Sequence, residues 1–416
     1  MINRRAAALF TTMMVVAVAC GGGGATAKPP TAAPATAAPA TAAPATATAA
    51  AEGCKVAVSW NNFQQPRWAA HDEPAIKATV EAGGGTYESN DANLVEEVQA
   101  TNIQTFIDKG VDVLIVLAQN TTTILPSIKA ANDAGIPVIA YDRLIEDPGV
   151  LYITFDNVLV GQLEAEAILA KVPPGTADAP ANYVLIKGNA ADPNASTFLP
   201  MGWDNAGLKA AVDAGTIKIL NGPEAGTGTW PDDYGTYTDQ WATQKAQDNM
   251  EAIIDKAVSD DTPIDAILAE NDSTALGVVA ALTAKSYGFP PLSGQDGDPA
   301  NLNNVALGKQ YVDVWKQANE LGNAAGAAAL SLCSGGDMAT LTLEDGLINP
   351  DVEPKAGLTA TPFTTPGGIT VSSFILQPTP LTADNLQLAL DGGQTTKEDL
   401  CEGVDAASTT APAACK

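Results

Sequence analysis

The chain has 416 residues, with 48 acidic against 21 basic side chains, a formal net charge of −27, one histidine and five cysteines. So acidic a surface excludes a nucleic-acid binder, which needs the opposite sign, and fits a solvated extracytoplasmic protein. With a single His71 and neither G-x-S-x-G nor H-E-x-x-H, the common hydrolytic and zinc-dependent enzyme classes lack their groups.

Residues 1–19 join a positive "MINRR" to the apolar "AAALFTTMMVVAVA" and end in small residues before Cys20. A membrane span needs about 20 apolar residues, so this shorter run reads as a signal peptide. Cys20 after Ala19 resembles a bacterial lipobox, in which that cysteine becomes the lipidated N-terminus, although Ala17 stands where leucine is usual. Residues 20–53 repeat TAAPA with almost no charge or large apolar side chain, so a disordered linker is expected. Extended as polyproline, its last 30 or so residues would span roughly 90 Å. The expected location is therefore extracytoplasmic, with the protein lipid-anchored to the outer face of the cell membrane or in the periplasm. Cys54, Cys333, Cys401 and Cys415 remain, an even count in an exported chain, which predicts two disulfides with three pairings open. Two of these cysteines lie near the ends of the folded part, so stapled termini are the expected role.

From Cys54 on, strand and helix signals alternate. "KVAVSW" reads as a strand, "EPAIKATVEAGG" and "NLVEEVQATNIQTFIDKG" as helices, and "VDVLIVLA" as a buried strand. The helix "TILPSIKAANDAG" follows, then the strands "IPVIAYD" and "VLYITFD", the helix "VGQLEAEAILAKV", and the strand "NYVLIKGN". A helix around "FLPMGWDNAGLKAAVDAG" leads to the strand "IKILNG", the helix "WATQKAQDNMEAIIDKAV", the strand "IDAILAEND" and the helix "STALGVVAALTAKSYG". This rhythm predicts an α/β protein with parallel sheets covered by helices on both faces, long enough for two lobes. Ligands of such sheets bind at the carboxyl ends of the strands.

Almost every strand end here carries Asp, Asn, Arg or Lys. Asn61, Asn62, Arg67 and Trp68 follow the first strand; Gln119 and Asn120, Asp142 and Arg143, Asp156 and Asn157, Asn189, Asp192 and Asn194, Asn271 and Asp272, Asp296, and Lys316 follow later ones. Asp or Asn before a helix can simply be an N-cap, but two arginines and a lysine make poor caps. A neutral polyhydroxylated ligand suits the set, because each hydroxyl both donates and accepts and bonds strongly to charged partners. Sugar C–H faces stack on indoles, and Trp68 and Trp241 adjoin the polar residues. "DGDPANLNNVAL" lacks the sixth-position glycine and the twelfth-position glutamate of a calcium loop, so no metal is expected, and no cofactor.

The segments "NNFQQPRW", "GVDVLIV", "AYDRLI", "ITFDN", "LAEND", "SGQDGD" and "DVWK" resemble, in order and spacing, the periplasmic sugar-binding proteins of ABC importers. Within these they are most similar to the xylose-binding type of the ribose/galactose (type I) group. The resemblance implies two Rossmann-like lobes joined by a three-strand hinge, which close on a monosaccharide and then dock on an ABC permease. It assigns Arg67 to a first-loop hydroxyl contact and Trp68 and Trp241 to the two faces of a sugar sandwich. Asp142 and Arg143 match a central carboxylate–guanidinium pair, Asp192 and Asn194 a hinge-side polar pair, and Asn271, Asp296 and Lys316 the remaining ligands. Crossings are expected near Asp156–Asn157, Lys316 and Asn349–Val352. The N-terminal lobe is then 54–156 with 317–350, the C-terminal lobe 157–316 with 351–400, and 401–416 a tail. Two departures stand out: Asn61-Asn62 where acidic residues are usual, and "GPEAGTGTWPDDYGTYTDQ", whose Trp230, Tyr234 and Tyr237 bear on the pocket rim.

The expected function is capture of D-xylose, by a non-enzymatic monomer that meets the membrane only through its lipid. A broad aldose receptor for glucose, arabinose or ribose, serving import or chemotaxis, is the alternative. A transcription regulator of the same fold would need a helix-turn-helix in place of the signal peptide. A sugar-modifying enzyme would need its acids freed from Arg and Lys.

Overall fold

The computed structural model describes residues 53–224, 226–343 and 357–416. The expected signal peptide, Cys20 and nearly all of the linker lie outside the described residues. The chain opens with β1 (Lys55–Trp60), α1 (Glu73–Ala82), β2 (Thr86–Asp91), α2 (Glu96–Lys109), β3 (Val113–Val116), α3 (Leu125–Asp133), β4 (Val138–Tyr141) and β5 (Val150–Phe155). A second series runs through α4 (Asn157–Lys171), β6 (Ala181–Lys187), α5 (Leu199–Asn205), α6 (Leu208–Asp213), β7 (Ile217–Ile219) and β8 (Thr236–Tyr237). It continues with α7 (Thr243–Ser259), β9 (Ala266–Ala269), α8 (Asp272–Ala284), α9 (Pro299–Ala306) and β10 (Asp313–Trp315). After α10 (Ala318–Cys333) come β11 (Thr342–Leu343), β12 (Leu358–Thr359), β13 (Thr361–Thr364), β14 (Thr370–Leu376), β15 (Thr379–Leu381), α11 (Gln387–Asp391) and α12 (Lys397–Leu400).

The first lobe is a seven-stranded sheet in the order β13-β14-β5-β4-β3-β1-β2, parallel except for the β13–β14 pair. Its inner strands VLIV, VIAY and VLYITF are buried along their whole length, as a parallel sheet covered on both faces requires. The edge strand β2, TYESND, is half exposed and carries no apolar run, so its sequence gives no strand signal. Helix α10 returns to this lobe and packs on α1 so closely that a Cβ at Gly322 would lie 2.7 Å from the Ala75 side chain.

The second lobe centres on β6, which pairs in parallel with β7, β8 and β9. Parallel bridges from Ile267 to Leu292 and from Gln295 to Val314 carry the sheet on to β10, which pairs antiparallel with β15. The chain passes between lobes after β5, after β10, and between β14 and β15.

Two expectations are corrected here. Residues 361–376 were assigned to the C-terminal lobe, yet β13 and β14 extend the first lobe's sheet, with Ser372–Leu376 pairing Leu151–Phe155. Long-range pairing with β5 decides this, and no local pattern announces it. The chain thus makes its third crossing at 377–378, and Asn349–Val352 lie outside the described residues. The tail 401–416 is docked: Leu400, Ala414 and Cys415 are buried with Leu302, Trp315 and Leu386 of the second lobe. Each disulfide holds one end of the folded part. Cys54–Cys333 ties the start of β1 to the end of α10, and Cys401–Cys415 closes a short local loop.

Candidate functional site

Beyond β1 the chain makes a single wide helical turn, Trp68–Asp72, before α1 begins. The extra residue per turn brings Arg67 and Asp72, five apart, onto one side. Arg67 Nε and Nη2 donate to the two Asp72 oxygens at 3.1 and 2.9 Å, a bidentate pair in which both side chains are buried. The Tyr141 hydroxyl donates to Asp72 Oδ1 at 2.5 Å and fixes that carboxylate from β4. Arg67 Nη1 is left to reach Asp296 across the cleft at 2.9 Å and Asp142 of its own lobe at 3.5 Å. The guanidinium carbon lies 4.2 Å from the Trp68 ring centre, and the Trp68 indole N–H donates to Gln65 Oε1 at 2.6 Å. Burial opposes the Arg67 charge, but Asp72, Asp142 and Asp296 outweigh it and hold the pKa well above the arginine range. Burial pushes Asp72 up to about 6 despite its guanidinium partner.

After β4, Asp142 takes a left-handed backbone (φ +61°) and directs Arg143 along the cleft wall. Arg143 donates to the Ala118 carbonyl at 3.0 Å and pairs through Nε with Asp192 of the second lobe at 2.9 Å. Asp192 also accepts from the Trp241 indole N–H at 3.2 Å, and its other oxygen accepts from the Asn194 backbone at 2.9 Å. The Asn194 side chain accepts from Asn157 at 3.1 Å. Trp241 lies over Gly188, where a Cβ would come within 2.1 Å of the indole, so only glycine admits the ring there.

Asn271 caps α8, exchanging hydrogen bonds with Thr274, while its amide nitrogen lies 3.5 Å from Asp296. Asp296 stands at φ +108° and Lys316 Nζ is 3.9 Å from its carboxylate. Asp142, Trp241 and Asp296 are three of the non-glycine residues held at positive φ, and such strain concentrates at ligand clamps.

Arg67, Trp68, Asp142, Arg143, Asp192, Asn194, Trp241, Asn271, Asp296 and Lys316 all line one cleft of about 280 Å³, mouth included. Three cations face three carboxylates there, so the cleft is charge-balanced. Gln65 and Gln295 complete the lining and were not anticipated. Gln65 could have been found three residues before Trp68 on a helical turn; Gln295 had only its place beside Asp296. Asp72, also missed, has nothing in its residue type or its place before α1 that sets it apart.

Other strand-end residues do local work. Asp156 caps α4 through the Leu159 N–H, Asn120 accepts from Thr122 and Thr123, and Asn61 donates to Gln119. The described residues of the insertion before Trp241 fold back on the second lobe and do not line the cleft. Tyr234 is buried, Trp230 donates to Asp204 at 2.6 Å, and the buried Lys187 holds the Pro231 carbonyl at 2.8 Å with its ammonium 3.7 Å from the Tyr237 ring centre. His71 is half buried on the turn after Trp68, outside the cleft lining. Among the described residues, no helix is long and apolar enough to cross a membrane.

The model of the periplasmic binding protein domain matches residues 56–337. The D-xylose-binding periplasmic protein of Escherichia coli K12 is 33% identical over 307 residues, covering 72% of this chain and 84% of that protein. The multiple sugar-binding periplasmic receptor ChvE of Rhizobium radiobacter is 29% identical over 282 residues, 65% of this chain and 76% of that protein. An ABC transporter solute-binding protein of Clostridium phytofermentans, solved with bound β-D-glucose, is similar in structure with a TM-score of 0.70 at 29% identity, over 83% of this chain and 99% of that one. With two parallel α/β lobes, crossing strands and a cleft at the strand ends, the chain belongs to the periplasmic binding protein family, a family of type I receptors rather than enzymes.

Proposed function

We propose that the protein captures a neutral monosaccharide between its lobes, D-xylose first among candidates, and hands it to an ABC permease. One observation carries the reading: two indoles, Trp68 and Trp241, enter one charge-balanced cleft from opposite lobes. A phosphate ester would need an excess of positive charge, whereas hydroxyls use cations and carboxylates alike. Indole faces suit sugar C–H faces. Ion pairs from Arg67 to Asp296 and from Arg143 to Asp192 span the lobes, so closure assembles the site and alters the outer surface that a permease meets. The protein works as a monomer held by a lipid on Cys20, a residue outside the described ones.

A broad aldose receptor is the second reading. The glucose bound to the Clostridium protein and the name of the Rhizobium receptor favour it. Isothermal titration with D-xylose, D-glucose, D-ribose and L-arabinose separates the two. Micromolar or tighter binding of xylose alone, abolished in Trp68→Ala, supports the narrow reading; comparable binding of several sugars supports the broad one. No heat with any of the four would end both.

A further inference from the structure

Gln295 is clamped twice. Its backbone carbonyl accepts from the Asp272 N–H at 2.9 Å at the start of α8, and its side-chain Nε2 donates to the Glu270 carbonyl at 2.5 Å. The second bond also fixes which way the amide faces. Rotating it by half a turn would set Oε1 against the Glu270 carbonyl oxygen, two acceptors in contact, so the nitrogen points inward and the oxygen away from it. That oxygen is buried and has no hydrogen-bond partner among the described residues, and the residue lines the cleft beside Asn271 and Asp296. The acids lining the cleft have cations beside them: Asp192 and Asp296 each lie 2.9 Å from an arginine nitrogen, and Asp142 Oδ2, which also accepts no hydrogen bond, lies 3.5 Å from Arg67 Nη1.

We propose that Gln295 is a ligand-contacting, specificity-determining residue whose Oε1 accepts a hydrogen bond from one hydroxyl of the bound sugar. This rests on the sugar-binding reading above and adds to it a neutral acceptor that no cation in the cleft satisfies. A rigid acceptor of this kind requires a donor at one ring position. It therefore rejects a sugar in which that hydroxyl is replaced by hydrogen or fluorine, since either leaves the oxygen buried and unpaired.

The test is titration of the purified protein with D-xylose and D-glucose and with the monodeoxy and monofluoro analogues of whichever binds. Wild type should lose about tenfold to a hundredfold in affinity at each hydroxyl it contacts. In Gln295→Met the parent sugar should weaken by a similar factor, and the penalty at one position alone should vanish while those at the others remain. Gln295→Leu, which likewise removes the acceptor, should lose the penalty at the same position, and it decides the matter if the Met variant does not fold. Full retention of every positional penalty, or equal loss of all of them, in the variant that folds overturns the assignment while leaving sugar binding intact. Failure of wild type to bind any aldose overturns the sugar-binding reading itself.

Discussion

The two walls of the cleft are built on opposite electrostatic plans. Behind the first-lobe wall lies an apolar core of β-strand and α10 side chains, and its buried carboxylate, Asp72, is held by Arg67 and Tyr141. Behind the second-lobe wall, Glu164, Glu270, Asp272, Asp298 and Asp313 are all buried, and each keeps one oxygen that no N–H among the described residues reaches. Burial, with Asp296 and Asp313 beside it, pushes Asp298 up to about 8; burial above all pushes Asp313 up to about 7. Glu164, Glu270 and Asp272 are driven well above the carboxylate range, again chiefly by burial. The backbone N–H groups of Gly297 and Asp298 donate to Asp313 and Asp272, so this group of buried acids holds the loop that presents Asp296. One wall is fixed by paired charge and the other by acids that burial makes reluctant to ionise.

Removing the paired charge should have the largest effect. Arg67→Met leaves Asp72, Asp142 and Asp296 facing one another without their guanidinium, and breaking a buried pair in this way costs about 3–5 kcal/mol. Sugar affinity measured by titration should fall beyond detection, and thermal melts should show a destabilised protein. Next comes pH. The second-lobe acids have raised pKa values when folded, so their contribution to stability is complete below the ordinary carboxylate range and is lost as pH rises through 7 and 8. Asp72, raised to about 6, acts with the same sign. Melting temperature should therefore fall between about pH 4 and pH 8. Asp298→Asn and Asp313→Asn, which mimic the neutral acid, should gain on wild type as pH rises through that range. A flat wild-type profile would erase the contrast between the walls. The smallest effect belongs to Tyr141→Phe, which removes one of the hydrogen bonds on Asp72. Chemical denaturation should show a loss of about 1–2 kcal/mol, with sugar affinity nearly unchanged because Arg67 still grips both oxygens.

The cleft was legible because a parallel α/β sheet sends its strand ends to one place, so Arg67, Asp142, Asp192, Asn271 and Asp296 could be gathered from separate loops without knowing any contact. What escaped was whatever depends on partners distant in sequence. TYESND gives no strand signal, since an edge strand need not be apolar on either face. Residues 370–376 form a strand, and only its register against β5 says which lobe it completes. Asp72 and Gln295 owe their roles to a wide turn and a carbonyl contact, neither visible in residue type.

The C-terminal stretch has a consequence for the order of assembly. β14 closes the open side of β5 in the first lobe, and three residues later β15 closes that of β10 in the second. Neither sheet is complete until the last portion of the chain has been made. A chain ending before Thr370 would carry two unpaired strand edges at once, each a template for pairing with its neighbours. Such truncated chains should associate with one another rather than remain as half-formed receptors.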